Sequence, residues 1–496
     1  MLTLAIFVPL LVAAIVLAIP KRYEHYARPL AIGTSFVPLI VVVVAWARFD
    51  IGTAGFQLVE TASWIPSLGV SYTVGVDGLS LALVALTALL FTVSIVFPID
   101  DHGKPRAYFA TFLFLEAISL GVFLSLDLIL FFVFWDLSLV GMYFLIGIWG
   151  HGDAQRSALK FFLYTLLGSL ALLLGILGIY LYTDPRTFNM IEIIATLPVP
   201  AGGVGAVLIF LGIGVGFAVK TPLVPFHTWL PPAHVDAPAP ASTILAGVLL
   251  KMGTYGFIRI SLQMMPETFQ RFAFPLGVIA VVSILYGALV AMAQTNLKRL
   301  IAYTSVNHMG YVILGIAAAG ALGIGSEASR SLAMTGAVVE MVAHGLITGA
   351  LFLVSGSILA RGETYELDQY GGLASRAPRL AGITMLAAFA SLGLPGLAGF
   401  VAEFQIFAGT LGVYPWLAGI GLLGIVITAA LFLRMIQQVF LGDLPVRWDG
   451  WRDLQKSELY ALVPLAALVV VIGVAPAWLI RVVDSLSQVV TAGIIP

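Results

Sequence analysis

The sequence predicts an all-α polytopic membrane protein of about fourteen transmembrane helices, arranged as two inverted five-helix repeats, each with a broken helix. Three observations predict it. Of the 496 residues, 60% are hydrophobic and only 10% are charged, whereas soluble domains carry about 25% charged residues. Apolar stretches of the roughly 20 residues needed to cross a bilayer recur along the whole chain, with short loops between them. Two of those stretches are interrupted by proline and glycine beside ionisable residues, and the two interruptions lie five spans apart.

The spans fall near 2–19, 28–47, 78–98, 106–125, 127–149, 158–181, 204–220, 240–260, 272–293, 300–319, 331–360, 378–409, 416–441 and 458–482. The first lacks a basic leader region and runs on as a spanning helix, so it is expected to be retained and not cleaved. The loop from Phe188 to Pro200 is long enough for a small interfacial element. Lys and Arg set the orientation. Of the 24, fifteen fall in loops on one side (Lys298 among them), six on the other (Arg259 among them), and Lys220, Lys251 and Arg434 within spans. The richer side is the inner one, which places both termini outside.

The seventh span delivers Lys220 into apolar surroundings, and Pro222 and Pro225 then break the helix, since each lacks an N–H and clashes with the preceding turn. A proline-rich connection through His227, His234 and Asp236 leads to the eighth span, with Lys251 in its middle. The twelfth span is broken in SLGLPGLAGFVAEFQIF, where Pro395, Gly396 and Gly399 precede Glu403. An odd offset of five helices reverses the direction of crossing. Residues 1–105 then hold helices 1–3, residues 106–261 the first repeat, residues 262–441 the second, inverted repeat, and residues 442–496 helix 14 and the tail. Interrupted helices at matching positions point to a midplane ion pathway.

Ionisable residues at membrane depth follow the same line: Asp136, Lys220, Lys251, His308, Glu340, His344 and Glu403. Each charge at mid-bilayer costs about 2.5–3.5 kcal/mol on insertion scales, so such groups usually face a polar interior and carry ions or protons. In general, desolvation favours the neutral form of a side chain and a neighbouring opposite charge favours the ionised form. A lysine near a movable carboxylate can thus hold or release a proton without covalent chemistry. Each residue has a structural alternative. Lys220 snorkels from a helix end, Asp136 only neutralises Lys220, the histidines satisfy core hydroxyls or carbonyls, and Glu340 only holds His344, one helical turn away. Glu116 and Asp127 are weaker candidates, Asp127 being interfacial. Arg434 snorkels towards the inner face or pairs locally, and His227 and His234 read as loop anchors.

Some chemistries are excluded. The absence of cysteine removes thiolate metal sites, cysteine-ligated iron–sulfur clusters and disulfides within this chain. A net charge of −1 gives no sign of nucleic-acid binding. GIGLLG at 419–424 matches the dinucleotide pattern, but it lies inside an apolar helix with no preceding strand, the context that gives the pattern meaning. No phosphate-binding loop is present.

The run KTPLVPFHTWLPPAHVDAPAPAS, followed by LAGVLLKMGTYG, resembles the signature of the antiporter-like membrane subunits of respiratory complex I, NADH:quinone oxidoreductase, which are related to Mrp antiporter subunits. FFVFWDLSLVGMYFLIGIWG, NLKRLIAYTSVNHMG and HGLITGALFLVSG resemble further segments, and the likeness spans about 106–441. It is nearest to the M-type (chain 4) branch, because Glu403 stands where the L- and N-type subunits and the Mrp subunits usually carry lysine. The chain also ends soon after its last span, without the lateral helix that L-type subunits append. The resemblance implies a proton-pumping role. Asp136 and Lys220 would form the inner-facing ion pair, Lys251 the central relay, His308 and His344 the bridge, and Glu403 the outer-facing site. It implies no cofactor in this chain, with FMN and iron–sulfur clusters in partner subunits that also handle quinone. The implied partners are L-, N- and small-subunit types and membrane lipids, and the implied location is a bacterial plasma membrane. Two positions depart from the family pattern: Asp136 replaces a glutamate, and Pro232 an aspartate. The alternative class is a subunit of a multisubunit cation/proton antiporter.

Overall fold

The computed structural model describes residues 1–53, 55–99 and 101–492. Among the described residues, eleven helices are long and apolar enough to cross a membrane. Three shorter apolar helices, Leu2–Ala18, Val204–Lys220 and Ala398–Leu411, fill the remaining predicted positions. The chain runs through α1 (Leu2–Ala18), α2 (Ala27–Arg48), the hairpin strands β1 (Gln57–Ile65) and β2 (Val70–Val76), then α3 (Gly78–Val96), α4 (Pro105–Leu124), α5 (Leu128–Trp149) and α6 (Ala154–Tyr182). The short α7 (Met190–Thr196) is the element expected in the long loop. It starts on Asn189, whose side chain accepts from the backbone N–H of Ile191 at 2.9 Å, as an N-cap should.

The seventh span is broken as its prolines require. After α8 (Val204–Lys220) the chain leaves helical geometry and re-forms a turn as α9 (Leu230–Asp236). Irregular backbone at membrane depth survives only where its polar groups find partners, and here they do. Trp229 donates its indole N–H to the Val219 carbonyl at 2.9 Å, and the Val224 N–H donates to Ser283 Oγ at 3.0 Å. The eighth span, Ala239–Leu262, is one continuous helix in which α10 (Ala239–Ile244) and α11 (Leu250–Gly256) are joined and extended by π-helical turns at Leu245–Leu249 and Phe257–Leu262.

The second half continues with α12 (Pro266–Met292), α13 (Leu297–Ala319) and the 36-residue α14 (Glu327–Gly362), which lies at the centre of this half and is buried almost throughout. The twelfth span splits into α15 (Pro378–Ser391) and α16 (Ala398–Leu411). Gly393 and Gly396 between them have φ of +76° and +93°, a region that L side chains enter only at a cost. α17 (Pro415–Phe440) and α18 (Lys456–Val474) follow.

The structure corrects several expectations. The last span, expected to run to 482, ends at Val474, because Pro476 has no N–H and forces Ala475 out of helical geometry. A separate helix, α19 (Ala477–Ala492), then packs back on α3 and α14 with Leu479, Val482 and Val483 buried. A Cβ on Gly78 would meet the Val482 carbonyl oxygen at 2.0 Å, so this approach requires glycine. The β1–β2 hairpin was not anticipated; it turns at Gly69, in left-handed geometry. Glu60 on β1 accepts from the backbone N–H of Leu2 at 2.8 Å and Thr3 at 3.1 Å, so the hairpin caps α1. Arg259 and Lys298 are not loop residues. Each is fully buried within a helix.

Candidate functional site

The site assembles where the π-turned eighth span crosses α13, α14 and the second break. Lys251 is fully buried, and its ammonium is held by two partners. Nζ donates to the Ala246 carbonyl, five residues back in the π-helical turn, at 2.6 Å, and lies 2.6 Å from His344 Nδ1. π-turns are rare and concentrate at functional positions; this one brings a main-chain acceptor to a buried cation. The ring of His344 on α14 stands 5.5 Å from that of His308 on α13, centroid to centroid. His308 Nδ1 lies 3.0 Å from Glu340 Oε1 and 4.0 Å from Glu403 Oε1, and its Nε2 lies 3.0 Å from the Ser391 hydroxyl at the end of α15.

Lys251, His344, His308, Glu340 and Glu403 therefore form one buried group drawn from four spans. Glu340 is bonded to His308 on the neighbouring helix; no hydrogen bond joins it to His344 among the described residues. Glu403 sits beside the glycine break, where a Cβ on Gly393 would meet its Oε2 at 2.4 Å. Beyond it lies an apolar cavity of about 390 Å³ walled by Phe400, Phe404 and Phe407.

Lys220 and Asp136 occupy a second cluster. Lys220 Nζ donates to Ser138 Oγ at 3.0 Å and lies 5.1 Å from the centre of the Trp135 ring, close enough for a cation–π contact. Trp135 is itself fixed by a 2.9 Å bond from its indole N–H to Ser169. Among the described residues no ion pair joins Lys220 to Asp136; the carboxylate is half-buried and acts on the ammonium across space. α8 reaches α11 through Gly253, where an added Cβ would meet the Thr221 hydroxyl at 2.3 Å. Glycine thus lets the Lys220 and Lys251 helices touch.

Of the weaker candidates, Asp127 caps α5, accepting from the N–H groups of Ile129 at 2.9 Å and Leu130 at 3.1 Å and from Ser71 at 2.8 Å. Glu116 is fully buried in α4 with both carboxyl oxygens unpartnered among the described residues. Arg434 is exposed and donates to the last carbonyl of α12, at Met292, at 3.0 Å. His227 packs edge-on against Tyr286, with ring centroids 5.0 Å apart.

Two buried polar residues extend the group beyond what the sequence suggested. His234 on α9 has no exposed surface, stacks on Phe352 with ring centroids 4.5 Å apart, and has no hydrogen bond at either ring nitrogen among the described residues. Its backbone carbonyl accepts from the Ser242 hydroxyl near the start of the eighth span at 3.1 Å. Lys298 donates to the Ala237 carbonyl that ends α9. The signal for His234 was its place inside the interrupted span; its lack of a polar partner is visible only in three dimensions.

A helical membrane protein with two interrupted spans and a row of buried lysine, histidine and carboxylate side chains belongs to the class that moves ions across a membrane. The family model for the membrane subunits of NADH:quinone oxidoreductase and Mrp antiporters matches residues 125–428, and the chain belongs to that family. Subunit M of the NADH-quinone oxidoreductase of Rickettsia prowazekii is 37% identical over 484 residues, covering 96% of this chain and 95% of the relative. Subunit M of the F(420)H(2) dehydrogenase of Methanosarcina mazei is 38% identical over 485 residues, covering 96% of this chain and 94% of the relative. Among solved structures, a chain of respiratory complex I from Thermus thermophilus superposes with a TM-score of 0.89 at 29% identity, over 99% of both chains.

Proposed function

We propose that this chain is the proton-translocating M-type membrane subunit of an NADH:quinone oxidoreductase, and that Asp136, Lys220, Lys251, His308, His344 and Glu403 carry the protons. The observation that supports it most directly is the contact series from Lys251 through His344 and His308 to Glu340 and Glu403. Every member can bind or release a proton and all are buried; Lys251, His344, His308 and Glu340 follow one another at hydrogen-bond or ring-contact distance, and Glu403 Oε1 stands 4.0 Å from His308 Nδ1. Lys220 with Asp136 is the inner entry, Lys251 the central relay, and Glu403 the outer exit. Glu340 biases His308, and His234 links the eighth span to the inner mouth at Lys298. We read residues 106–261 and 262–441 as the two units of opposite orientation, with both termini on the periplasmic face of a bacterial plasma membrane.

Redox chemistry belongs to partner subunits, which hold FMN, iron–sulfur clusters and quinone; further L-, N- and small-type membrane subunits flank this one. The likeness to an F(420)H(2) dehydrogenase subunit has a physical reading. A chain that only moves protons is indifferent to the electron donor, so NADH is assigned here from the larger number of NADH-quinone relatives. The second reading, a cation/proton antiporter subunit, has the family description in its favour.

Replacing Lys251 or Glu403 with alanine in the assembled complex should abolish most proton uptake into proteoliposomes while the complex remains intact. Wild-type pumping in either variant overturns the assignment. Activity that requires sodium, and persists when a protonophore collapses the proton gradient, favours the antiporter reading instead.

A further inference from the structure

At the Lys- and Arg-rich end of the molecule, α3 and α14 finish and α18 begins, and the three ends border an open cavity of about 620 Å³. Its composition differs from that of the proton axis. One wall is apolar, with Phe97 and Ile99 just beyond α3. The other carries Arg447, Trp448, Trp451 and Arg452 from the segment that leads into α18.

The charges in this wall do not cancel. Arg361 is neutralised by Glu458, with Nη2 2.6 Å from Oε2. Arg447 donates to the side chain and backbone of Gln369, both uncharged, and lies 4.6 Å from the centre of the Trp448 ring. The exposed Arg452 guanidinium has no hydrogen bond or carboxylate partner among the described residues. Among the described residues that line the cavity, two positive charges are therefore left over. The indole N–H of Trp451, a residue only 8% exposed, is buried without an acceptor among the described residues. Leaving such a donor unmet costs about 1–3 kcal/mol, and a phosphate oxygen would satisfy it.

Position adds a further constraint. The cavity lies at the ends of α3 and α14 and the start of α18, beside tryptophans of the kind that settle at headgroup level. We propose that this cavity binds the headgroup of an anionic phospholipid, its phosphate held by Arg447, Arg452 and the Trp451 N–H and its glycerol and upper acyl chain lying on Phe97 and Ile99. Basic pockets between helix ends on the inner face are suited to anionic headgroups. The site is separate from the proton axis and does not depend on the proton-translocation reading.

The test uses the assembled complex purified from its own membranes. Phospholipid retained per chain is quantified by mass spectrometry, and thermal unfolding is followed during titration with phosphatidylglycerol, phosphatidylcholine or inorganic phosphate. The variants are Arg452→Gln, Arg447→Gln and Trp451→Phe; the first alters a side chain that holds nothing else in place, and the last keeps the ring and removes the donor. The wild type is expected to retain anionic lipid above its share in the membrane and to be stabilised by phosphatidylglycerol alone. Each arginine variant should require about fivefold more lipid for the same shift, the effect of one basic side chain at an anionic surface, and Trp451→Phe should also bind more weakly. Retention at the membrane proportion, or variants that titrate like wild type, overturns the proposal. Equal stabilisation by inorganic phosphate would make this a simple anion site, and density for a neighbouring polypeptide in the cavity would make it a subunit interface. Either result refutes a lipid site.

Discussion

Gly393 and Gly396 provide a matched pair for testing whether the position of the Glu403 carboxylate matters. Both glycines lie in the break of the twelfth span with positive φ, +76° and +93°. Alanine at either site carries a backbone penalty of about 1–2 kcal/mol. The two differ in what the new methyl group meets. At Gly396 nothing lies within 4 Å, whereas at Gly393 the Cβ would stand 2.4 Å from Glu403 Oε2, and ordinary contact begins near 3.4 Å. The carboxylate must retreat by about 1 Å in Gly393→Ala and need not move in Gly396→Ala. Its nearest imidazole nitrogen is already 4.0 Å away, and a misplacement of about 1 Å costs up to about a hundredfold where geometry governs a transfer. Proton pumping by the purified complex in proteoliposomes, normalised to electron transfer, should fall about tenfold or more in Gly393→Ala and stay near wild type in Gly396→Ala. Both should show similar thermal stability. Equal pumping losses in the two variants would mean that the strain of the break, and not the placement of Glu403, is what the activity senses.

Three further outcomes follow from the geometry. Asp136→Asn should depress pumping and move its pH profile, because among the described residues no hydrogen bond or ion pair joins Asp136 to Lys220 and its charge acts from a distance, while Asp136→Glu should retain most activity; equal losses would show that shape and not charge matters there. Arg259 forms a fully buried pair with Asp77 at 2.5 Å, and Arg259→Met leaves that carboxylate without its cation, so unfolding should become easier by about 3–5 kcal/mol; an unchanged melting temperature would refute this. His151, in the loop before α6, has its pKa lowered to about 4 by burial and then by the nearby Lys298. The neutral ring is the folded form, so its contribution is complete above about pH 6.5 and is lost as pH falls towards 4; His151→Gln should flatten the acid limb of the stability profile, and an unaltered limb in that variant would count against it.

Much of this architecture is legible in the sequence because the bilayer leaves few options. Fourteen apolar stretches become helices, since no other segment can satisfy its backbone in lipid, and prolines and glycines mark both breaks. Lys251, His308, His344 and Glu403 could be picked out because a charge or imidazole in an apolar run is rare. Hydropathy is blind to neighbours. It placed Arg259 and Lys298 in loops, because residues near helix ends look alike whether they reach water or a partner such as Asp77, 182 residues away. It gave no sign of the π-turn that brings the Ala246 carbonyl to Lys251, since an i→i+5 ladder has no compositional mark. The hairpin of β1 and β2 escapes hydropathy because its period-two pattern is faint beside the flanking apolar spans. The break at Pro476 was written in the sequence, but the run on either side is apolar enough to read as one span.

The pairing of Lys251 with a ring nitrogen of His344 sets an order of events in time. An ammonium can only donate, so while Lys251 is charged, Nδ1 of His344 must be the bare nitrogen and Nε2 must carry the hydrogen. If the imidazole then takes a proton at Nδ1 and surrenders the one at Nε2 to a water, since no protein group among the described residues bonds to that nitrogen, it is left as the opposite tautomer, with a hydrogen pointing back at the lysine. In that state Lys251 cannot recharge without two donors facing each other across 2.6 Å. The next proton must wait until the ring turns over or its hydrogens change places. If the pair relays protons as proposed, it cannot run as an open wire: each passage leaves it spent until the ring resets.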